Sequence, residues 1–342
     1  MRWVGERPRS ASTTRWGRPC RLSVVTTYEP SRLVARVGRD LVGLQREAEV
    51  LAVALASGRH VVLEGPPGTG KSTLLRALAD EAGVALVFVE GNAELTPSRL
   101  VGYHDPAMVI AGGYRPDAFV AGPLVEAVRD GALLYLEELN RIPEESLNVL
   151  ITALAEGELH VPRVGRIAAH PSFRLIAAMN PYDAVGTARI GQAIYDRLCR
   201  LSVGYQDEAH EREIVERVTG IQGTDVDLAV ATVRATRIHP DVRVGSSVRG
   251  AIDMAVMTAG LRTLRTVSDA SHYGAQRGAL LDAALASLSG RIRLDEASDR
   301  VPEDVIAEIL DKVLADWLRR LGGDPQPDPE DDSGKVPAPA RG

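Results

Sequence analysis

Arg59-His-Val-Val-Leu-Glu64 runs straight into Gly65-Pro66-Pro67-Gly68-Thr69-Gly70-Lys71-Ser72-Thr73, and Leu74, Leu75 and Leu78 follow at helical spacing as far as Ala82. A short β-branched apolar run, a glycine-rich loop and a helix, in that order, is the context in which the pattern G-x-x-x-x-G-K-[ST] holds phosphate. Glycine-permitted turns aim several backbone N–H groups at one anion. The helix that starts there adds its own unpaired N–H groups and the positive end of its dipole. Lys71 sharpens the reading, because lysine occurs only at 71, 312 and 335 among 40 Lys and Arg residues. A planar, forked guanidinium does not replace a compact ammonium in such a slot. The segment is therefore expected to bind the phosphates of a nucleotide.

Outward from this loop, apolar runs alternate with helical patterns. Residues 43–57 have helical spacing, 85–89 read as a strand, Pro123 opens a helix that ends at Gly131, and 132–136 and 173–178 read as buried strands. Strands alternating with helices imply a parallel sheet covered on both faces, with ligands at the carboxyl ends of its strands. Polar residues stand at those ends: Glu137 and Glu138 follow one run, and Met179-Asn180-Pro181 follows another. An acid ending a buried strand can hold Mg²⁺ opposite the Ser72 hydroxyl, and the next carboxylate can orient or deprotonate an attacking water. The competing reading of the acids is capping of the helix that begins near Pro143-Glu144-Glu145. Asn180 is either a turn former or a group that positions the water.

After Tyr205 the pattern becomes helical, over 207–218, 225–236, 247–264, 278–288 and 302–321. A boundary near Gly204 separates a mixed domain, 30–204, from an all-helical one, 205–321. Arg249, in the first turn of one of these helices, is either a solvated-face arginine or a phosphate contact. Residues 1–29 form a basic tail, with six arginines against one glutamate over 1–21, and 322–342 an acidic tail with five prolines; both are expected to be disordered. The basic tail reads as a solvated segment or a misassigned start, and less well as a docking arm for an acidic partner.

The bulk composition narrows the classes. No apolar run approaches the roughly 18 residues that span a bilayer, so a cytoplasmic protein is expected. Cys20 and Cys199 lack the rhythm of a disulfide framework or metal site. A net charge of −6 argues against a general nucleic-acid binder. With lysine only at three positions there is no Asn/Thr-Lys-x-Asp segment of a GTPase. Leu288-Ser-Gly290 lies too late in the chain for an ABC signature and reads as a helix ending at glycine.

Taken in order, Gly65 to Ser72, Leu133-Leu-Tyr-Leu-Glu-Glu-Leu-Asn-Arg141, Ala177 to Pro181, Tyr195-Asp-Arg-Leu198 and Gly245 to Gly250 resemble the MoxR branch of AAA+ ATPases over residues 30–320. The resemblance implies a P-loop α/β/α core with a helical lid, ATP and Mg²⁺, and a ring usually of six subunits with nucleotide between neighbours. It assigns Gly65–Thr73 to Walker A, Glu137 (metal, with Ser72) and Glu138 (catalytic) to Walker B, Asn180 to sensor 1 and Arg249 to sensor 2. Arg197 becomes the arginine finger, with Arg189 and Arg200 as alternatives. Residues 102–121 resemble the pore-facing insert in helix 2 and read as a hairpin, or as a plain surface hairpin; a second hairpin spans 160–174. The family also implies a protein client and a partner with a von Willebrand factor A domain. Walker B usually opens with Asp, and Glu137 adds a methylene there, so slow hydrolysis is expected. A nucleic-acid-dependent motor and an ATP-sensing scaffold with little turnover are the alternatives.

Overall fold

The structure, a computed structural model, describes residues 27–181, 190–266 and 273–320. Helices α1 (Pro30–Asp40) and α2 (Gln45–Ala56) precede β1 (His60–Glu64), which feeds α3 (Lys71–Ala82) and β2 (Leu86–Glu90). A short helix α4 (Pro97–Val101) leads into β3 (Gly102–His104), α5 (Pro106–Gly112) and β4 (Phe119–Ala121). Then come α6 (Pro123–Asp130), β5 (Leu133–Glu137), α7 (Glu144–Glu156), the hairpin β6 (Glu158–Val161) and β7 (Gly165–Ala168), β8 (Arg174–Met179), α8 (Gln192–Tyr195) and β9 (Leu198–Ser202). Five of these strands form one parallel sheet in the order β2-β5-β8-β1-β9.

Period-two alternation sorts the strand side chains onto two cores. Val61, Leu63, Leu133 and Tyr135 pack with α1, α2 and α3, whereas Val62, Leu134 and Leu136 pack with α6 and α7. Because both faces are covered, the central strands are apolar nearly throughout, which is why they read as continuous runs. The fold is an α/β/α core, and a smaller helical lid follows it.

The lid comprises α9 (Glu208–Thr219), α10 (Thr224–Thr236), β10 (Val242–Val244), α11 (Val248–Thr266), α12 (Tyr273–Leu288), β11 (Arg293–Leu294) and α13 (Pro302–Arg320). Its core, built around Val226, Val233, Met254, Leu288, Ile306 and Leu310, is separate from the two sheet cores. No helix among the described residues is long and apolar enough to cross a membrane.

The structure corrects four expectations. The lid is not all-helical: β10 and β11 pair antiparallel, joining the turn before Arg249 to the segment after Gly290. The basic tail does not extend to residue 29, since Tyr28 is fully buried and its hydroxyl donates to Ser172 O at 3.1 Å. An aromatic ring with a polar tip finds both an apolar bed and a carbonyl there. Residues 102–121 do form an antiparallel pair, with Tyr103 opposite Val120, but their first apolar run is helical. Asp105 caps it, accepting from Ala107 N at 2.8 Å, and Pro106 sits at its first position. Finally, β9 went unread: Leu198 and Leu201 are buried while Cys199 and Arg200 face solvent, the signature of an edge strand with too few apolar letters to stand out. A second hairpin is present but lies earlier than the expected 160–174: β6 and β7 run from Glu158 to Ala168 with Val161 opposite Gly165, and Arg174 already belongs to β8. The expected disorder over 1–26 and 322–342, and Arg189, lie outside the described residues.

Candidate nucleotide site

The carboxyl ends of β1, β5 and β8 and the start of α11 meet around one cavity of about 390 Å³. Gly65, Pro67 and Lys71 line it from the loop, Glu137 and Glu138 from β5, Asn180 from β8, and Ser247 and Arg249 from the lid. Backbone geometry builds the loop. Gly68 has φ +76° and Gly70 φ +86°, both left-handed, and Gly70 is the residue from which α3 departs. A side chain on Gly68 would meet Ser247 Oγ at 2.3 Å, so the loop fits under the lid only as glycine. Gly65 N donates to Met179 O at 3.2 Å, which ties the loop to the end of β8.

Lys71 is 9% exposed, and its ammonium donates to Pro66 O at 2.7 Å, Gly65 O at 2.9 Å and Thr69 Oγ1 at 3.4 Å. Burial pulls its pKa from 10.5 down to about 8, and Arg249 pushes in the same direction, while Glu137 and Glu138 oppose them. Thr69 Oγ1 also donates to Pro66 O at 3.2 Å. Thr73, in the same first turn of α3, faces solvent away from the cavity. Ser72 donates to Glu137 Oε1 at 3.3 Å. A hydroxyl and a carboxylate this close form a hard-oxygen donor pair of the kind Mg²⁺ uses alongside waters and phosphate oxygens. The residues present therefore fit a small divalent cation.

Glu138 turns the chain off the end of β5 in the left-handed region, at φ +55° and ψ +46°, a conformation that costs a non-glycine residue about 1–2 kcal/mol. Its carboxylate lies 3.0 Å from Arg141 Nε, one turn on. Asn180 sits beside it, its carbonyl reached by Asn140 Nδ2 at 3.5 Å.

Sequence reasoning missed several groups at this site. Arg141, Arg291 and Arg293 also line the cavity, so that with Lys71 and Arg249 five cationic side chains face two carboxylates, a balance suited to a polyphosphate. The signal for two of them was legible in Arg291-Ile-Arg293, directly behind the helix-ending Gly290. Gln206, at the passage from sheet to lid, is buried and its Nε2 donates to Thr69 O at 3.1 Å. Tyr135, within the apolar run of β5, places its hydroxyl 3.2 Å from Ser72 Oγ.

Arg197 is not at this cavity. β9 pairs with β1 so that Leu198 lies opposite His60 and Ser202 opposite Glu64. Arg197 thus stands at the amino end of β1, roughly 20 Å along the strand from the loop at its carboxyl end. It is exposed, donates to Ala193 O at 2.7 Å, and shares a surface hollow with Arg59, His60 and Asp196. Arg200 is held otherwise: its Nε donates at 2.5 Å to the buried carboxylate of Glu64, which also accepts from Tyr195 OH at 3.0 Å.

Residues 60–198 match the family model of an AAA domain of the dynein-related subfamily. The gas vesicle ATPase GvpN of Haloferax mediterranei is 32% identical over 206 residues, 55% of this chain and 59% of that protein. GvpN1 of Halobacterium salinarum is 34% identical over 230 residues, 62% of this chain and 65% of its own length. The chain thus spans less than two thirds of either relative. The uncharacterised protein YeaC of Bacillus subtilis is 29% identical over 252 residues, 65% of this chain and 75% of that one. Among solved structures, the RuvB Holliday junction branch migration motor of Thermotoga maritima superposes with a TM-score of 0.46 at 16% identity, over 71% of this chain and 72% of that one. Residues 60–198 are thus similar to an AAA domain, and they lie in an α/β core with a helical lid behind it.

Proposed function

We propose that this protein is an ATPase of the MoxR type that works as a ring and couples ATP hydrolysis to the remodelling or activation of a protein client. One observation carries the reading: the loop lysine, the strand-end acids, Asn180 and the lid arginine Arg249 line a single cavity although they come from four separate stretches of the chain. Relatives named as ATPases support it.

In this reading the loop N–H groups and Lys71 hold the β- and γ-phosphates, and Arg249 closes over them from the lid. Ser72 and Glu137 would hold Mg²⁺, which when bound neutralises charge on the phosphate oxygens. Glu138 orients the attacking water and takes its proton, and Asn180 fixes that water from the side. Arg197 cannot reach the cavity of its own chain, and a neighbour's nucleotide is the target left to it. A guanidinium supplied in this way is worth about 10³–10⁵ in rate. The ring, its six-fold count, a von Willebrand factor A partner and a cytoplasmic setting rest on the family resemblance.

A second reading has its own support. The Glu138 carboxylate is paired with Arg141, and a base so engaged must be released before it can act. This favours slow turnover, up to the limit of a scaffold that assembles on ATP and barely hydrolyses it. Purified Lys71→Ala, Glu138→Gln and Arg197→Ala chains separate the readings. A motor loses ATP binding in the first and accumulates ATP-bound rings in the second. In the third it retains binding and loses turnover, which returns in part when Arg197→Ala is mixed with Lys71→Ala. If Arg197→Ala hydrolyses ATP at the wild-type rate, Arg197 is not the finger, and if Arg189→Ala and Arg200→Ala do so too, the ring mechanism is wrong. DNA-stimulated turnover would move the protein to the nucleic-acid motors.

A further inference from the structure

Tyr135 stands two residues before Glu137 on β5, and the alternation of the strand puts both side chains on the face covered by α3. The ring is 2% exposed and packs against Phe88 of the neighbouring strand, with ring centroids 5.5 Å apart. That packing accounts for an aromatic residue here, but it does not account for a hydroxyl. A buried phenolic oxygen needs a partner, and this one lies 3.2 Å from Ser72 Oγ.

The proton inventory limits what that contact can be. Ser72 has one proton and two lone pairs. Its proton goes to Glu137 Oε1 at 3.3 Å or to the phenol oxygen at 3.2 Å, and the Tyr135 hydroxyl is itself hydrogen-bonded to Glu137 as well as to Ser72. Either way a serine lone pair is left for a cation. Phenol, serine and carboxylate therefore form a chain in which the position of the serine oxygen is set from behind by Tyr135 and from the side by Glu137. The carboxylate stands one methylene further from its strand than an aspartate would. The hydroxyl it reaches is held in place from the strand beneath.

We propose that Tyr135 is a positioning residue for the divalent cation of the nucleotide site, holding the Ser72 hydroxyl in register with the longer Glu137. The inference rests on the reading in which Ser72 and Glu137 hold Mg²⁺. Tyr135 does not line the cavity and acts through Ser72 and Glu137, to both of which its hydroxyl is hydrogen-bonded. Groups that orient a metal ligand in this way change metal affinity by about 10- to 100-fold when removed.

The test uses the full chain and reads binding, not turnover. The affinity of a fluorescent ATP analogue is measured in EDTA and across a Mg²⁺ series for wild type and Tyr135→Phe, which keeps the ring and its packing. The metal-free affinity is expected to stay within about twofold, while the half-saturating Mg²⁺ concentration rises about tenfold or more. In a cycle with Glu137→Asp the two effects on Mg²⁺ are expected to be non-additive, because both side chains address the same oxygen. A loss of metal-free affinity equal to the loss in Mg²⁺ overturns the inference in favour of a purely structural role. An unchanged Mg²⁺ midpoint in a responsive protein also overturns it, and leaves the site reading intact. A wild-type protein whose nucleotide affinity ignores Mg²⁺ overturns both.

Discussion

Nucleotide binding should take up a proton above pH 8, and the reason lies in Lys71. Its ammonium is buried among backbone carbonyls at the foot of the loop, with Arg249 beside it, and its pKa is lowered from 10.5 to about 8. A phosphate placed in the cavity supplies the negative charge that burial lacks, so the pKa should return towards its ordinary value. A return over the full 2.5 units is worth about 3 kcal/mol, at 1.36 kcal/mol per unit. Two consequences of opposite sign follow. Without nucleotide, the lowered pKa costs the fold stability below pH 8, and that cost disappears as pH rises from about 8 to 10.5, because over that window the unfolded chain binds the proton and the folded one does not. With nucleotide the order reverses: affinity is flat below pH 8 and falls by up to about tenfold per unit above it. At pH 9 about 0.9 of the free sites are neutral, so each binding event should take up close to one proton. Calorimetric titration of ATP in EDTA at pH 9, in two buffers of different ionisation enthalpy, counts that proton directly. Lys71→Arg is the control, since arginine remains charged throughout this range and should show weaker binding with no uptake. Proton uptake near zero at pH 9 in the wild-type chain would refute the reasoning.

Three further perturbations follow from the same geometry. Gly68→Ala places a Cβ in the left-handed region and 2.3 Å from Ser247 Oγ, so it should weaken ATP at least tenfold by lifting the lid; Ser247→Gly should recover part of the loss, and no recovery would show that the clash is not the cause. Tyr195→Phe removes one of the two hydrogen bonds to the buried Glu64 carboxylate and should lower the denaturant-derived stability by about 1.5–3 kcal/mol; a change below about 0.5 kcal/mol would mean that Arg200 alone satisfies the acid. Gln206→Leu deletes the tie to Thr69 O, and should cost about 1 kcal/mol and speed amide exchange at the phosphate loop, an effect absent if that carbonyl finds another donor.

How much of this was legible in the chain depended on how locally each feature is encoded. The phosphate loop needs particular backbone turns within eight residues, so Gly65 to Ser72 carries its own signature. The central strands were readable because burial on both faces leaves no room for polar letters, as in Leu133 to Leu136. Glu137, Glu138 and Asn180 followed from a rule of topology, that ligands gather at the carboxyl ends of parallel strands. Helix α1 was missed because it buries only Leu33 and Val37, one turn apart, which is too faint a stripe to register. Arg249 stayed undecided between solvent and phosphate because nothing in its own segment says where the lid will sit. Arg291 and Arg293 reach the cavity through the β10–β11 pairing, a contact between segments about fifty residues apart. The Tyr135 hydroxyl was hidden for another reason: within an apolar run a tyrosine is indistinguishable from any other core residue until the group opposite its oxygen is known.

The position of the lid on the core follows from the same distribution of contacts. The sheet is flanked by two apolar cores and the lid encloses a third, and charged groups from both bodies line the cavity, Lys71, Glu137 and Glu138 from the core and Arg249, Arg291 and Arg293 from the lid. Gln206 reaches Thr69 O from the passage between the two bodies, Arg234 donates to the Gln206 carbonyl at 3.3 Å and pairs with the buried Glu211 at 3.1 Å, and Arg237 runs from Glu211 to Ser246 O at 2.7 Å, one residue before Ser247 over the loop. This chain of polar contacts joins the phosphate loop to the turn that carries Arg249. Net contributions of about 1 kcal/mol per neutral hydrogen bond, and somewhat more for charged ones, are small beside the apolar cores that hold each body together. A polyphosphate bridging Lys71 and Arg249 would act on the same scale as that chain. On the proposed reading, nucleotide occupancy is expected to bias the angle of the lid and to leave the fold of either body unchanged.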